Sequence, residues 1–145
     1  YRSNNPNLTQ EVDAAINDIN TFAPVADRSR INVIVSEYNS IDWGTGWSNE
    51  NNTGHALANF QMFGDMIIKP KLTAACMWNT RWIDNSDNPQ YIFDALDGDG
   101  NLNAIGKAMA IWGKNLLASM VSASTSNNNY VKSYATYDEN EKNRR

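Results

Sequence analysis

One carboxylate stands where a substrate could reach it, directly after a short apolar run. Residues 31–35 read Ile-Asn-Val-Ile-Val, and Ser36, Glu37, Tyr38 and Asn39 follow. Such a run is typical of a strand in a parallel sheet that is covered on both faces. An unpaired buried carboxylate is costly, so a Glu that ends this strand beside a polar loop suits nucleophilic or acid/base chemistry. On spacing alone, Glu37 equally fits a helix cap or an ion pair with a loop cation.

Other side chains near the two apolar runs are of the types that bind sugars. Indole faces stack on pyranose rings, amides bond hydroxyl groups, and a guanidinium group could bond a hydroxyl or a sulfate. The candidates for substrate binding are Asn39, Trp43, Trp78, Asn79, Arg81 and Trp82. Each could instead be an ordinary loop anchor or, for Trp78, a core residue.

The single histidine, His55, opens the second predicted helix beside the first polar loop. It could contact a substrate or serve as a structural hydrogen-bonding group. A metal site is not expected, because the chain has no second His and no Cys pair, and no cofactor is predicted. Residues 97–101, Asp-Gly-Asp-Gly-Asn, are similar to a calcium loop. Leu102 and Ala108 stand where an EF-hand needs Gly and Glu, so the segment predicts a turn.

The predicted elements alternate along the chain. Apolar residues recur at helical spacing over 8–19, 56–67 and 105–116, and apolar runs at 31–35 and 72–78 separate these segments. The order helix, strand, helix, strand, helix predicts right-handed βαβ connections and a parallel sheet. Both long polar loops follow the carboxyl ends of the strands, where ligand sites of α/β proteins lie.

Charge and hydropathy exclude two classes of partner. The formal net charge of −4 and the lack of an undiluted basic cluster argue against nucleic-acid binding, which requires clustered Lys and Arg. No apolar stretch approaches the roughly 20 residues that a membrane span needs. We therefore expect no nucleic acid and no membrane among the partners.

The pattern changes near residue 120. Residues 121–129 are rich in Ser and Asn and predict a linker, whereas residues 130–137 alternate like a strand. We interpret residues 130–145 as the start of a β-sandwich-like accessory domain, with a disordered charged tail from Asp138. The chain opens with Tyr1 inside a polar loop, and we expect it to be a fragment of a longer protein.

Four short motifs carry a resemblance to a known group of enzymes. They are Ser-Glu-Tyr-Asn at 36–39, Gly-His-Ala-Leu at 54–57, Trp-Asn-Thr-Arg-Trp at 78–82 and Ala-Ile-Trp-Gly at 110–113. The first and third resemble the ends of the seventh and eighth strands in clan A of the retaining (β/α)8-barrel glycoside hydrolases. Together, the four look most like glycoside hydrolase family 86, which contains β-agarases and β-porphyranases.

This resemblance implies an α/β fold in which residues 1–120 form the C-terminal portion of a TIM barrel, its last two strands and flanking helices. It implies that Glu37 is the catalytic nucleophile and that Trp78 stacks on the sugar at the cleavage point. The clan's acid/base Glu follows an Asn at the end of the fourth strand, which this chain lacks. Asn49-Glu50 spells the same dipeptide but follows Glu37, so we interpret it as coincidence.

The resemblance also implies a partner, a location and an activity. The partner would be a red-algal galactan such as agarose or porphyran, cleaved in endo fashion by a retaining mechanism. The enzyme would be secreted, or held at the surface or in the periplasm of a bacterium. The rest of its own barrel would be missing from this chain, so the chain would be inactive alone. Alternatives are an α-L-arabinofuranosidase or β-xylosidase, and a non-catalytic carbohydrate-binding module, although the βα repetition speaks against the module.

Strand alternation then predicts which residues share a face. If Glu37 faces the barrel axis, Val35 lies on the same side and Ile34 faces the helices. By the same argument, Trp78 shares a side with Cys76. Cys76, the only cysteine, lies within an apolar run and is expected to be a buried, inert thiol.

Overall fold

Three helices and five short strands make up the part of the chain that the structure describes. The structure is a computed structural model, and it describes residues 8–40, 51–81, 94–126, 131–140 and 143–144. In chain order the elements are α1 (Leu8–Phe22), β1 (Val33–Tyr38), α2 (Thr53–Ile67), β2 (Leu72–Met77), α3 (Ala104–Asn115), β3 (Ser119–Val121), β4 (Ala135–Asp138) and β5 (Asn143–Arg144). The predicted alternation of helices and strands up to α3 is confirmed. No helix within the described ranges is both long and apolar enough to cross a membrane.

The first sheet consists of β1 and β2, which pair in parallel as the sequence predicted. The pairing extends to Tyr38 opposite Met77, beyond the apolar run that ends at Val35. Glu37 therefore lies within β1 rather than after it. Interstrand hydrogen bonding sets the end of the strand, and the apolar pattern alone does not report it.

Helices cover one face of this sheet. Val12 and Ile16 of α1 and Met62 and Met66 of α2 form a buried cluster with Val35 and Tyr38 of β1. Leu72, Ala75 and Met77 of β2 pack against the same cluster. Apolar side chains at helical spacing on two helices thus meet one side of the sheet, and their removal from water supplies the main stabilisation.

The expected assignment of faces in β1 is wrong. Val35 is buried on the helix side, whereas Ile34 remains 63% exposed on the open side of the sheet. Glu37 is exposed and does not share the environment of Val35. Cys76 is exposed as well, which contradicts the expectation of a buried thiol. An apolar run fits either orientation of a strand, and the helices that dock on it decide between them.

A cluster of aromatic rings joins α2 to α3 and to the chain before β4. The indole of Trp112 stacks on Phe60 at 4.7 Å between ring centroids, and its Nε1 donates to the Phe60 carbonyl over 3.0 Å. Tyr134 meets the Trp112 ring edge-on at 5.3 Å. A Cβ at Gly64 would lie 2.6 Å from the Tyr134 ring and 2.8 Å from Trp112, so the absence of a side chain there permits the close approach.

The second sheet is antiparallel, with strand order β3-β4-β5. β3 begins at Ser119, so the second sheet starts before residues 121–129, the segment that we predicted to be a linker. The tail that we predicted to be disordered pairs with β4 through β5. Lys132 and Tyr134 both contact Asp65 of α2, at 2.5 and 2.7 Å. Strand pairing therefore includes Val121 and Asn143–Arg144, whose composition alone suggested a linker and a tail.

Across the described residues the sheets contain two and three strands, and neither closes into a barrel. The parallel sheet has both edges unpaired and one face open within these ranges. The assignment to a TIM barrel thus stays a prediction. It is compatible with an open two-stranded sheet that further strands could extend.

Two glycines of α3 give opposite predictions for the same substitution. Gly106 packs so closely on the backbone of Ala95 that a Cβ would overlap its carbonyl oxygen, whereas a Cβ at Gly113 would meet nothing within 4 Å. We expect Gly106→Ala to destabilise the chain by about 1–3 kcal/mol through overpacking. Gly113→Ala should stabilise it by up to about 1 kcal/mol through helix propensity. Pulse proteolysis in urea measures both, and equal effects would contradict the packing of α3 on Ala95.

The open face of the parallel sheet predicts the behaviour of the 145-residue chain by itself. Exposed Ile34 and the unpaired strand edges should make the chain self-associate and bind a hydrophobic dye. Ile34→Lys should reduce both effects. Val25→Lys, which replaces a comparably exposed apolar side chain in the turn after α1, should change them less. Analytical ultracentrifugation and dye fluorescence measure this, and a monodisperse wild-type monomer with a sharp cooperative melt would refute it.

Candidate functional site

Glu37 lies at a shift in the register of β1 against β2 near the carboxyl end of β1, and this irregularity, in which β1 has one residue more than β2, is named the bulge here. Val35 pairs with Ala75 and Tyr38 pairs with Met77. Between these two pairs β1 advances by three residues and β2 by two. The extra residue falls at Ser36–Glu37, and both of these side chains are exposed between buried Val35 and buried Tyr38. Bulges interrupt the strand alternation and redirect side chains, and they are frequent beside active sites. The bulge is the physical reason that strict alternation failed to predict the environment of Glu37.

Tyr38 fixes the strand immediately after the bulge. Its ring is 4% exposed and stacks against Phe63 of α2 at 6.4 Å, and its hydroxyl lies 3.5 Å from the sulfur of Met109 on α3. Its carbonyl accepts a hydrogen bond from the Trp78 amide over 2.9 Å. Burial, with a smaller contribution from neighbouring Cys76, raises the pKa of the Tyr38 phenol well above its ordinary value. Tyr38 is therefore a neutral anchor.

Asn39 links the ends of the two parallel strands. Its Nδ2 donates to the carbonyl of Trp78. Its Oδ1 accepts from the Ser40 amide over 2.6 Å and from Nδ2 of Asn59 over 3.1 Å. The amide predicted to bind a sugar hydroxyl is thus engaged within the protein at both its nitrogen and its oxygen. This placement favours the alternative that Asn39 is a loop anchor.

His55 lies in the same buried cluster. It is 2% exposed, and its Nδ1 is 2.8 Å from Oγ of Ser40. Its backbone amide is capped by Oδ1 of Asn52 over 3.1 Å, which starts α2. The placement favours the structural alternative for His55 over direct contact with a substrate.

Sequence reasoning missed two members of this cluster, Ser40 and Asn59. Asn59 is 0% exposed, and its Nδ2 lies 2.8 Å from Ser40 Oγ and 3.0 Å from the His55 carbonyl. The available signal was spacing, because Asn59 follows His55 by four residues and shares its helix face. A second polar residue on a face that otherwise carries apolar residues indicates a buried hydrogen-bonding partner.

The residues after β2 are only partly described. Trp78 is half-buried, and the peptide bond between Trp78 and Asn79 is cis. The Asn79 carbonyl accepts from the Ala95 amide over 2.9 Å, which ties the second loop to its return segment. Arg81 is exposed. Trp43, Trp82 and Glu50 lie outside the described residues, so the predictions for them remain predictions.

Asn51 organises a second polar cluster between the two loops. Its Nδ2 donates to the Asp94 carbonyl over 2.8 Å, and its Oδ1 accepts from the Ile105 amide over 3.1 Å. Asn103 donates to the same Asp94 carbonyl over 3.3 Å. One amide thereby connects the start of α2, the segment before α3 and the first turn of α3. The cluster positions these segments beside the carboxyl ends of the strands.

The Asp-Gly-Asp-Gly-Asn segment forms the predicted turn. Oδ1 of Asp97 accepts from the amides of Asp99 and Asn101 over 2.9 and 2.8 Å. Gly100 supplies the left-handed backbone, with φ of 83°. Leu96 and Leu102 pair across the turn. Within the described ranges, no group of three or more His, Cys, Asp or Glu side chains could hold a metal ion.

Comparison of the chain with protein-family models, with curated proteins and with solved structures finds no match. The functional assignment therefore depends on the residues and geometry described above.

The Asp97 turn predicts a local dependence on pH. Hydrogen bonds from Asn101, its backbone amide first, lower the pKa of the Asp97 carboxyl. A lowered pKa means that the turn is supported above the ordinary aspartate range and loses this support as the pH falls below about 4. NMR titration should show the Asn101 amide shifting upfield on acidification. In Asp97→Asn, which keeps an acceptor oxygen and does not titrate, the chemical shift of the Asn101 amide should not change with pH. If that variant gives the same titration curve as the wild type, a group other than Asp97 causes the shift.

Proposed function

We propose that this chain carries the nucleophile of a retaining glycoside hydrolase, with Glu37 in that role. One observation carries the proposal: Glu37 is exposed in a bulge, between two buried residues, at the carboxyl end of a parallel strand. Ligand sites of parallel α/β folds lie at that end. The bulge keeps the carboxylate accessible while Val35 and Tyr38 hold the backbone on either side of it.

The proposed chemistry is a double displacement. A carboxylate oxygen of Glu37 attacks the anomeric carbon, the glycosidic C–O bond breaks, and the leaving oxygen takes a proton from an acid group. Water then attacks the same carbon, gives its proton to the conjugate base of that acid and releases Glu37. The acid/base carboxyl must stand about 5–5.5 Å from the nucleophile. We expect it from a part of the barrel that these residues do not include.

The surroundings of Glu37 suit a carbohydrate. The Trp78 amide donates to the Tyr38 carbonyl, one residue from Glu37, so the backbone of Trp78 lies beside the strand end that carries the nucleophile. Trp78 is half-buried and is proposed to stack on a sugar ring, and exposed Arg81 can bond hydroxyl or sulfate groups. Asn79 follows Trp78 at the same strand end. In this proposal Asn39 and His55 support the site from within the protein.

By resemblance, we propose a β-linked galactan, agarose or porphyran, as the substrate. Such polymers do not cross membranes, so the enzyme would act after secretion or at the surface or in the periplasm of a bacterium. A substrate panel that includes arabinofuranosides and xylosides tests the alternative activities. A carbohydrate-binding module would retain affinity for the polymer and release no reducing sugar.

Glu37→Ala tests the nucleophile in the intact protein. Turnover should fall by several orders of magnitude while substrate affinity changes little, because the remaining groups cannot replace covalent chemistry. Azide should fill the vacated space and attack an activated substrate, giving a product of inverted configuration. Rates on agarose and porphyran, with NMR of the azide adduct, measure this.

Glu50→Ala is the control and should leave activity nearly unchanged. If Glu37→Ala retains more than about a tenth of the activity, a loss of only ~1.4 kcal/mol, Glu37 is not the nucleophile. An inactive Glu50→Ala with an active Glu37→Ala would transfer the role to Glu50.

A further inference from the structure

Three side chains form a buried hydrogen-bonded group beneath the end of β1, named here the Ser40–His55–Asn59 group. Ser40 Oγ lies 2.8 Å from both His55 Nδ1 and Asn59 Nδ2. The three residues are 6%, 2% and 0% exposed, respectively. A buried donor needs acceptors, and Nδ2 of Asn59 has them, whereas no described residue bonds its Oδ1; the bonds of Nδ2 and of Ser40 Oγ therefore constrain the group.

The group is connected to the strand ends through Asn39. Asn59 donates to Oδ1 of Asn39 over 3.1 Å, and Asn39 in turn donates to the Trp78 carbonyl. The segment that follows Glu37 and the residue that follows β2 are therefore held to α2 by one set of bonds. Asn39 is two residues from Glu37.

A bulged residue depends on its neighbours for its position. The bulge leaves Ser36–Glu37 without the regular pairing of the ladder, so the interstrand bonds alone do not fix the direction of the Glu37 side chain. The backbone on both sides of the bulge must therefore be fixed by other contacts. Before the bulge, Val35 packs in the core. After it, Tyr38 packs in the core and Asn39 and Ser40 form hydrogen bonds.

We propose that His55 and Asn59 of α2 are positioning residues for Glu37, acting through Ser40 and Asn39. This inference rests on the proposed function. Their burial excludes contact with a polymeric substrate, so their effect reaches the chemistry through the backbone of the bulge. A displacement of about 1 Å in a reacting group can cost on the order of 10²-fold in rate.

The test is a double-mutant cycle in the intact protein, with an activated aryl glycoside of the substrate sugar. His55→Leu removes the bond to Ser40, whereas His55→Asn keeps a polar atom near the place of Nδ1. We expect His55→Leu to lower kcat about 10- to 100-fold with little change in KM, and His55→Asn to recover most of the loss. Ser40→Ala, which deletes one hydroxyl, makes the same test with less risk to folding.

The second arm repeats these substitutions in the Glu37→Ala variant with azide as the nucleophile. Azide does not need the bulge to orient it, so His55→Leu and Ser40→Ala should change the azide rate less than about twofold. Thr136→Val, which removes the buried hydrogen bond from Thr136 Oγ1 to the Asn115 carbonyl and touches no residue around Glu37, controls for general destabilisation. It should lower the melting temperature without the loss of kcat.

The outcomes separate the two proposals. If Glu37→Ala is fully active, the proposed function fails, whatever the group does. Suppose that Glu37→Ala is inactive and is rescued by azide. If His55→Leu then lowers the azide rate by the same factor as it lowers kcat in the protein with Glu37 intact, the group does not act through Glu37 and the positioning role is overturned. If His55→Leu lowers the rate only in the protein with Glu37 intact, and His55→Asn recovers most of that rate, the positioning role is supported.

Discussion

The carboxyl ends of β1 and β2 are held to α2 by buried and partly buried hydrogen bonds, and the candidate site depends on this arrangement. Asn39 joins the two strands, and Asn59 and Ser40 join Asn39 to the helix. Leaving one buried partner unsatisfied costs about 1–3 kcal/mol. That cost disfavours any alternative register for the end of β1, whereas an apolar contact would tolerate a small shift.

The apolar core and the polar cluster have different tasks. Val35, Tyr38, Met62 and Met66 bring β1 against α2 by burying apolar surface, which is strong but nondirectional. Directional hydrogen bonds then set how far along the helix the strand end sits. The bulge at Ser36–Glu37 lies between these two kinds of attachment, with packing before it and hydrogen bonds after it. An exposed carboxylate can occupy such a place without a charge entering the core.

The aromatic cluster also joins elements to α2, through Phe60, Phe63 and Gly64. Trp112 packs against Phe60 and Phe63, and Tyr134 closes on the same ring. Because Gly64 lets these rings approach the helix backbone, the antiparallel sheet and α3 are fixed to one helix. α2 therefore contacts the first sheet and the segment that leads into the second, through a polar junction and an aromatic junction.

The sequence by itself determined the order of helices and strands, the parallel pairing and the turn at Asp97. These follow from local periodicity and turn chemistry, which act over a few residues. Only the tertiary structure decided which face of β1 meets the helices, the exposure of Ile34 and Cys76, and the pairing of the C-terminal tail. It also decided the bulge at Glu37 and the partners of His55, because register and buried hydrogen bonds join residues far apart in the chain. No pattern confined to one segment records which distant atom completes such a bond.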